Sequence, residues 1–198
     1  ELFDAWQMGS QCALAAGDLG EARRLGEGLL DLPFYREETH LATSRLIVVG
    51  LLAGAWDEAI EQSELFRAGW ERAGRPLQGN LRTAPYAAAT IHAIRGDDDA
   101  RAAWLSVVDT LESAVRFPRL VHFRKFFDAL VLLHRGSWTE ASELLAESPE
   151  SFTGDSGGMW RPWYASVWAE AAVLADDAEA PERLGRAEVL TAGNPIAH

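Results

Sequence analysis

The sequence predicts an all-α chain built as a right-handed superhelix of antiparallel helical hairpins, an α-solenoid, and three observations carry that prediction. In Leu51-Leu52-Ala53-Gly54-Ala55-Trp56-Asp57-Glu58-Ala59 an apolar run ends at a glycine and an amphipathic run begins two residues later. The same punctuation recurs at Ala15-Ala16-Gly17-Asp18, Ile94-Arg95-Gly96-Asp97 and His134-Arg135-Gly136-Ser137, so the glycines at 17, 54, 96 and 136 lie 37, 42 and 40 residues apart. A period of that length belongs to stacked hairpins, each too small to bury its own apolar face. Richness in alanine and leucine, set against few isoleucines and threonines, favours helix over strand.

Taken in order, the spacing predicts five hairpins, at 3–32, 35–73, 81–116, 119–147 and 160–191, within a single repeat domain over 1–198. In the first, Trp6, Cys12, Ala13 and Ala16 contribute to a packed stripe, Gly17 releases the helix, and Asp18 is placed to cap the return arm, which Leu32-Pro33 stops. The second hairpin opens with near-continuous apolar character at Leu46-Ile47-Val48-Val49 and returns with Glu58, Glu61, Gln62 and Glu64 on a wet face. A sandwiched arm followed by a partly exposed one is what a stack requires. Gly74-Arg75-Pro76-Leu77-Gln78-Gly79-Asn80 interrupts the pattern. The third hairpin starts near Pro85, and Asp97-Asp98-Asp99 reads as a turn feeding the positive end of a helix rather than as a metal cluster. The fourth gathers Arg116, Arg119, His122, Arg124 and Lys125 beside Phe123, Phe126 and Phe127. Ser148 to Gly158 reads as a loop, and Pro162 marks the start of the last hairpin, whose turn Ala175-Asp176-Asp177-Ala178 has aspartate in place of glycine.

Composition excludes several function classes. The formal charge of −12, from 30 acidic and 18 basic side chains, opposes non-specific binding to nucleic acid or to an anionic membrane. No apolar run reaches the roughly 20 residues of a bilayer span. The single cysteine, Cys12, forms no internal disulfide and is expected to be a buried thiol of an intracellular, cytoplasmic protein. Both ends look cut from a longer polypeptide.

Gly154-Asp155-Ser156-Gly157-Gly158 resembles the nucleophile loop of trypsin-like serine proteases, but that chemistry needs two β-barrels and a histidine and aspartate oriented toward the serine. A hydrolytic role for Ser156 is therefore the remote alternative. There is no phosphate loop and no dinucleotide fingerprint, and neither the histidines nor the acidic pairs have metal spacing, so no cofactor, metal or catalytic residue is expected.

The repeated turns resemble the tetratricopeptide-repeat (TPR) family, carried by Gly17 with Ala22, Gly54 with Ala59, Gly96 with Ala100 and Gly136 with Ala141, and by Pro33 and Pro118 at the ends of units. Trp163-Tyr164-Ala165, Trp168-Ala169-Glu170-Ala171-Ala172-Val173-Leu174-Ala175 and Ala192-Gly193-Asn194-Pro195-Ile196-Ala197 are similar to the carboxy-terminal helical regions of large actinobacterial ATPase regulators. Those regulators carry LuxR-type DNA-binding or nucleotide-cyclase domains elsewhere. The resemblance implies a non-catalytic segment for protein interaction or effector sensing in signal transduction or transcription regulation, and supplies no catalytic residue.

Three function classes follow. In the leading one, the first arms line a concave surface on which Tyr86, His92, Arg119, His122, Lys125, Phe126, Trp160 and Trp163 recognise a protein, a peptide, another domain of the same polypeptide or a small effector. Gly17, Gly54, Gly96 and Gly136 are the structural turn residues. The second class is a structural spacer or self-association scaffold, and the third the hydrolase just described. Partner identity and oligomeric state are not fixed by these residues.

Overall fold

The computed structural model describes residues 2–113, 121–151 and 157–197. Among them all regular structure is helical: α1 (Leu2–Ala15), α2 (Leu19–Leu30), α3 (Pro33–Glu37), α4 (Thr39–Leu52), α5 (Trp56–Arg72), α6 (Thr83–Ile94), α7 (Asp98–Glu112), α8 (Val121–His134), α9 (Trp138–Leu144), α10 (Gly157–Leu174) and α11 (Ala180–Thr191). Single 3-10 turns occur at Gly79–Leu81 and Pro149–Ser151. Contacts divide the chain into two compact units, one of Glu1–Leu14 with Leu19–Arg116 and one of Ala15–Asp18 with Phe117–His198. Packing is mostly between helices adjacent in sequence, and first arms also touch the next first arm within a unit: α4 meets α6, and α8 meets α10.

The repeated turns have one geometry. Gly54 sits at φ +73°, Gly96 at +78° and Gly136 at +76°, in the left-handed region that a Cβ disfavours. Behind Gly54, its own amide donates to the Leu51 carbonyl at 3.2 Å and the Ala55 amide to the Gly50 carbonyl at 2.9 Å. This pair of bonds satisfies two of the carbonyls that a helix end leaves open. The pair recurs as Gly96 to Ala93 with Asp97 to His92, and as Gly136 to Leu133 with Ser137 to Leu132. At the fifth turn Asp176 occupies the glycine position at φ +53° and makes the same bonds, with Asp177 donating to Ala172. Aspartate is among the few side chains that tolerate this conformation. Asp97 also caps α7, its carboxylate accepting from the Ala100 amide at 3.0 Å.

In the first unit, α4 and α6 carry no exposed residue. Helix α4 lies among α2, α3, α5 and α6, while α6 lies among α4, α5 and α7. The return arms are one-sided: α5 buries Ala59, Ser63, Phe66 and Trp70, and α7 buries Trp104, Val108 and Leu111, each at helical spacing. Close approach of α4 to α5 depends on Gly50, where a Cβ would fall 2.7 Å from the Cβ of Ala59. In the second unit the rings of Phe123, Phe126 and Phe127 surround Trp160 at centroid distances of 5.6, 5.6 and 5.9 Å.

Three local expectations are corrected. Pro33 ends the second arm but also begins α3, because a proline at the first helical position loses no hydrogen bond, and α3 then precedes α4 as a separate short helix. Helix α10 begins at Gly157, so Pro162 lies inside it rather than at its start. Cys12 is exposed rather than buried: the buried face of α1 runs through Ser10, Ala13 and Leu14, and Cys12 points away from it.

Candidate functional site

Most of the sequence-predicted site residues are placed by the need to fill the core. Tyr86 on α6 is buried, and its hydroxyl donates to Glu112 Oε1 at 3.0 Å. The Arg82 guanidinium lies beside the same pair, donating to the Gly79 carbonyl at 2.7 Å. Burial pushes its pKa down, opposed by the charge of Glu112. His92 is 13% exposed, with Nδ1 3.5 Å from Asp97 Oδ2 across the repeat turn; its Nε2 is buried without a hydrogen bond. Phe126, Trp160 and Trp163 are buried in the second unit. Lys125 donates to Glu147 Oε1 at 2.6 Å, which satisfies its charge within the chain. Arg119 and Ser156 lie outside the described residues, as does the side chain of His122. The aromatic spacing that suggested a groove thus packs rings against one another.

The open recess of the second unit lies instead between α10 and α11. Ser166, Ala169, Glu170, Val173 and Leu174 line it from α10, and Leu184, Ala187, Glu188 and Thr191 from α11, with Ala197 at one end, around a volume of about 310 Å³. Its depth comes from small side chains: Ala165, Ala169 and Ala187 are buried against each other beneath it. Its walls are apolar and wet at once, with Val173 50% and Leu184 48% exposed. Its only ionisable lining groups are the exposed carboxylates Glu170 and Glu188. Large exposed apolar side chains gathered in a concavity, unlike scattered ones, mark surfaces that another molecule covers.

A polar network fixes one side of this hairpin. Arg183 on α11 is 5% exposed; its Nε and Nη2 donate to Glu179 Oε2 at 3.2 and 3.0 Å, and its Nη1 donates to Ser142 Oγ at 3.2 Å. Ser142 donates in turn to Asp177 Oδ2 at 2.8 Å, and the guanidinium lies 5.2 Å from the Trp168 ring centroid. The Glu179 amide and the Ser142 hydroxyl hold the Asp177 carboxyl below its usual range. A buried cation with carboxylates and a hydroxyl around it locks the turn in place and so presents α10 and α11 in one geometry. Sequence reading missed this cluster, though the aspartate pair that replaces the turn glycine, with Glu179 and Arg183 four residues apart, was its visible trace.

Chemically, the recess offers apolar contact and negative charge. No group of histidine, cysteine, aspartate and glutamate that could hold a metal ion occurs among the described residues, and none of the described helices is long and apolar enough to cross a membrane. Comparison of the chain with protein-family models, with curated proteins and with solved structures finds no match.

Proposed function

We infer that this chain is a non-catalytic interaction segment of an intracellular signalling or transcription regulator, a TPR-like stack that captures an amphipathic, basic-flanked helix. The observation that carries the reading is the groove between α10 and α11, apolar along its floor and rimmed by Glu170 and Glu188. An apolar groove between two helices accepts the apolar face of a third, read as anchors at i, i+4 and i+7. The two carboxylates select lysine or arginine on the flanks of that helix and disfavour an acidic one. The chain's charge of −12 disfavours a second copy of itself as the occupant. Support for the TPR-like reading is the recurrence of one turn geometry at Gly54, Gly96, Gly136 and Asp176, together with first-arm contacts between α4 and α6 and between α8 and α10.

Fluorescence anisotropy with a labelled helical peptide of about sixteen residues, long enough to lie along both arms, tests the reading. The peptide carries leucine anchors and lysine flanks. Saturable binding is expected, weakened about fivefold or more by Leu184→Asp, since disrupting one apolar anchor point of a groove costs roughly 1 kcal/mol or more. The double variant Glu170→Lys with Glu188→Lys should transfer preference to a glutamate-flanked peptide. Equal binding of both peptides to all variants overturns the groove as the site. Absence of binding altogether moves the chain to the spacer class.

A further inference from the structure

The first unit holds a second recess of different chemistry. Leu29, Tyr35, Leu41, Ser44, Arg45, Gln78, Asn80 and Leu81 enclose about 110 Å³ where the loop after α5 folds over α3 and α4. Leu29, Tyr35 and Leu81 are buried and Ser44 is 6% exposed, whereas Gln78 and Asn80 stand exposed at the mouth. The cationic group in this lining is Arg45.

No carboxylate among the described residues pairs with Arg45. Its partner is the neutral side chain of Gln11: with the amide oxygen turned toward the guanidinium, it accepts from Nη1 at 2.9 Å and from Nη2 at 2.6 Å. Burial pushes the guanidinium pKa down, with only the nearby Tyr35 acting against that. A cation taken out of water beside a neutral partner costs free energy that a bound anion would offset. Arginine has five N–H donors in a planar fork. Gln11 engages two nitrogens of that fork, which leaves further donors for a ligand. The Ser44 hydroxyl donates to the Leu41 carbonyl at 2.7 Å, so its proton is already committed. Besides Ser44, the side-chain donors of the lining are Arg45, the Tyr35 hydroxyl and the amides of Gln78 and Asn80.

We propose that this recess is a binding site for a small monocarboxylate with a short aliphatic tail, the carboxylate held by the Arg45 fork with Gln78 and Asn80 at the rim, and the tail lying against Leu29, Leu41 and Leu81. A planar carboxylate matches a guanidinium in two parallel bonds. One cation offsets one negative charge, and in a chain of net charge −12 a dianion would bring uncompensated repulsion. The leucine walls take the tail and reject a second charged end. This site goes beyond the helix-binding reading: it belongs to the first unit and survives the failure of that reading, as that reading survives its own.

The test is thermal unfolding of the whole chain in sodium propionate and sodium butyrate, at constant ionic strength against sodium chloride, with phosphate and sulfate alongside. A ligand that binds only the folded state raises the midpoint with the logarithm of its concentration once saturation is passed. Propionate and butyrate should do so, and phosphate and sulfate should match chloride. Arg45→Gln should lose the response, with an apo midpoint no lower than that of the parent chain, because a strained charge has been removed. Arg45→Lys keeps the charge but loses the fork, and should weaken propionate about fivefold or more. Asn80→Ala, on an exposed rim position that leaves folding intact, should weaken it about threefold. A saturable response retained in Arg45→Gln, or equal in phosphate, or absent in the parent chain, overturns the proposal. If Arg45→Gln does not fold, an unchanged response in both Arg45→Lys and Asn80→Ala overturns it equally.

Discussion

Helices α6 and α10 open their hairpins with similar alanine-rich, aromatic sequences, yet they end in different environments. Helix α6 packs against α4, α5 and α7 within its unit, and its residues are all buried or half-buried. Helix α10 buries Trp160, Trp163 and Tyr164 at its beginning and exposes Glu170, Val173 and Leu174 near its end. The difference teaches that periodicity tells which residues are apolar but not which of them are covered. Coverage is set by the elements packed around a helix, and the exposed positions of α10, Glu170, Val173 and Leu174, are the ones on which the proposed groove rests.

The largest expected effect contrasts the two ends of α10. Trp160→Ala should cost about 3–5 kcal/mol, because it empties a site walled by three phenylalanine rings. Val173→Ala should stay within about 0.5 kcal/mol, as exposed positions do. Urea unfolding of the two variants measures both, and similar losses would erase the distinction between the covered and exposed positions of α10.

Overpacking sharpens the same comparison from the other helix. Ala88 is fully buried on α6, so Ala88→Leu should destabilise by about 1–3 kcal/mol in the same unfolding experiment. A neutral result would mean that α6 is less enclosed than its burial states.

The turns come next in size. Nothing lies within 4 Å of a Cβ placed on Gly54, so the cost of Gly54→Val is backbone strain alone, about 1–2 kcal/mol. Asp176→Gly should act in the opposite direction, by up to about 1 kcal/mol, by relieving the same strain at the fifth turn. Opposite signs in thermal unfolding are the expected outcome, and equal signs would break the equivalence of the turns.

A pH effect belongs to the enclosed helices. His40 on α4 is buried against the edge of Phe66, with neither ring nitrogen hydrogen-bonded. Desolvation pushes its pKa below 6.5, opposed by Glu38, whose Oε2 lies 3.5 Å from Nδ1. The unfolded chain therefore binds this proton more readily than the folded one. The stability contribution of neutral His40 is complete above the unfolded value and is lost as pH falls from 6.5 through the lower folded value. His40→Leu should remove that part of the pH dependence of unfolding, and an unchanged profile would exclude His40 as its source.

The smallest effect is at the surface. Lys125→Ala removes the pair with Glu147 and should cost no more than about 1 kcal/mol, most of it gone at high salt. A larger, salt-independent loss would show the lysine stem to be part of the core.

What was legible in the sequence follows from which residues have no alternative. A left-handed turn needs glycine or a short polar side chain, so Gly54, Gly96, Gly136 and even Asp176 announce themselves. Pro33 was ambiguous, since the proline that stops one helix is suited to begin another. Gly157 and Gly158 read as loop because their weak helix propensity was not set against the packing of α10. The site was hardly legible. Phe126, Trp160 and Trp163, offered for a groove, fill the core, whereas Val173, Leu174 and Leu184, which no sequence pattern singled out for a site, stand exposed. The Arg45 recess depends on where the loop after α5 returns over α4, which no local pattern encodes.

The most direct test of the helix-binding groove is an amide chemical-shift titration of the chain with the lysine-flanked peptide, repeated for Leu184→Asp. The account predicts perturbations centred on Ser166, Glu170, Val173, Leu184 and Glu188, with α4 and α6 unmoved, and their disappearance in the variant. Perturbations centred on α4 through α7, or unchanged by Leu184→Asp, would contradict it.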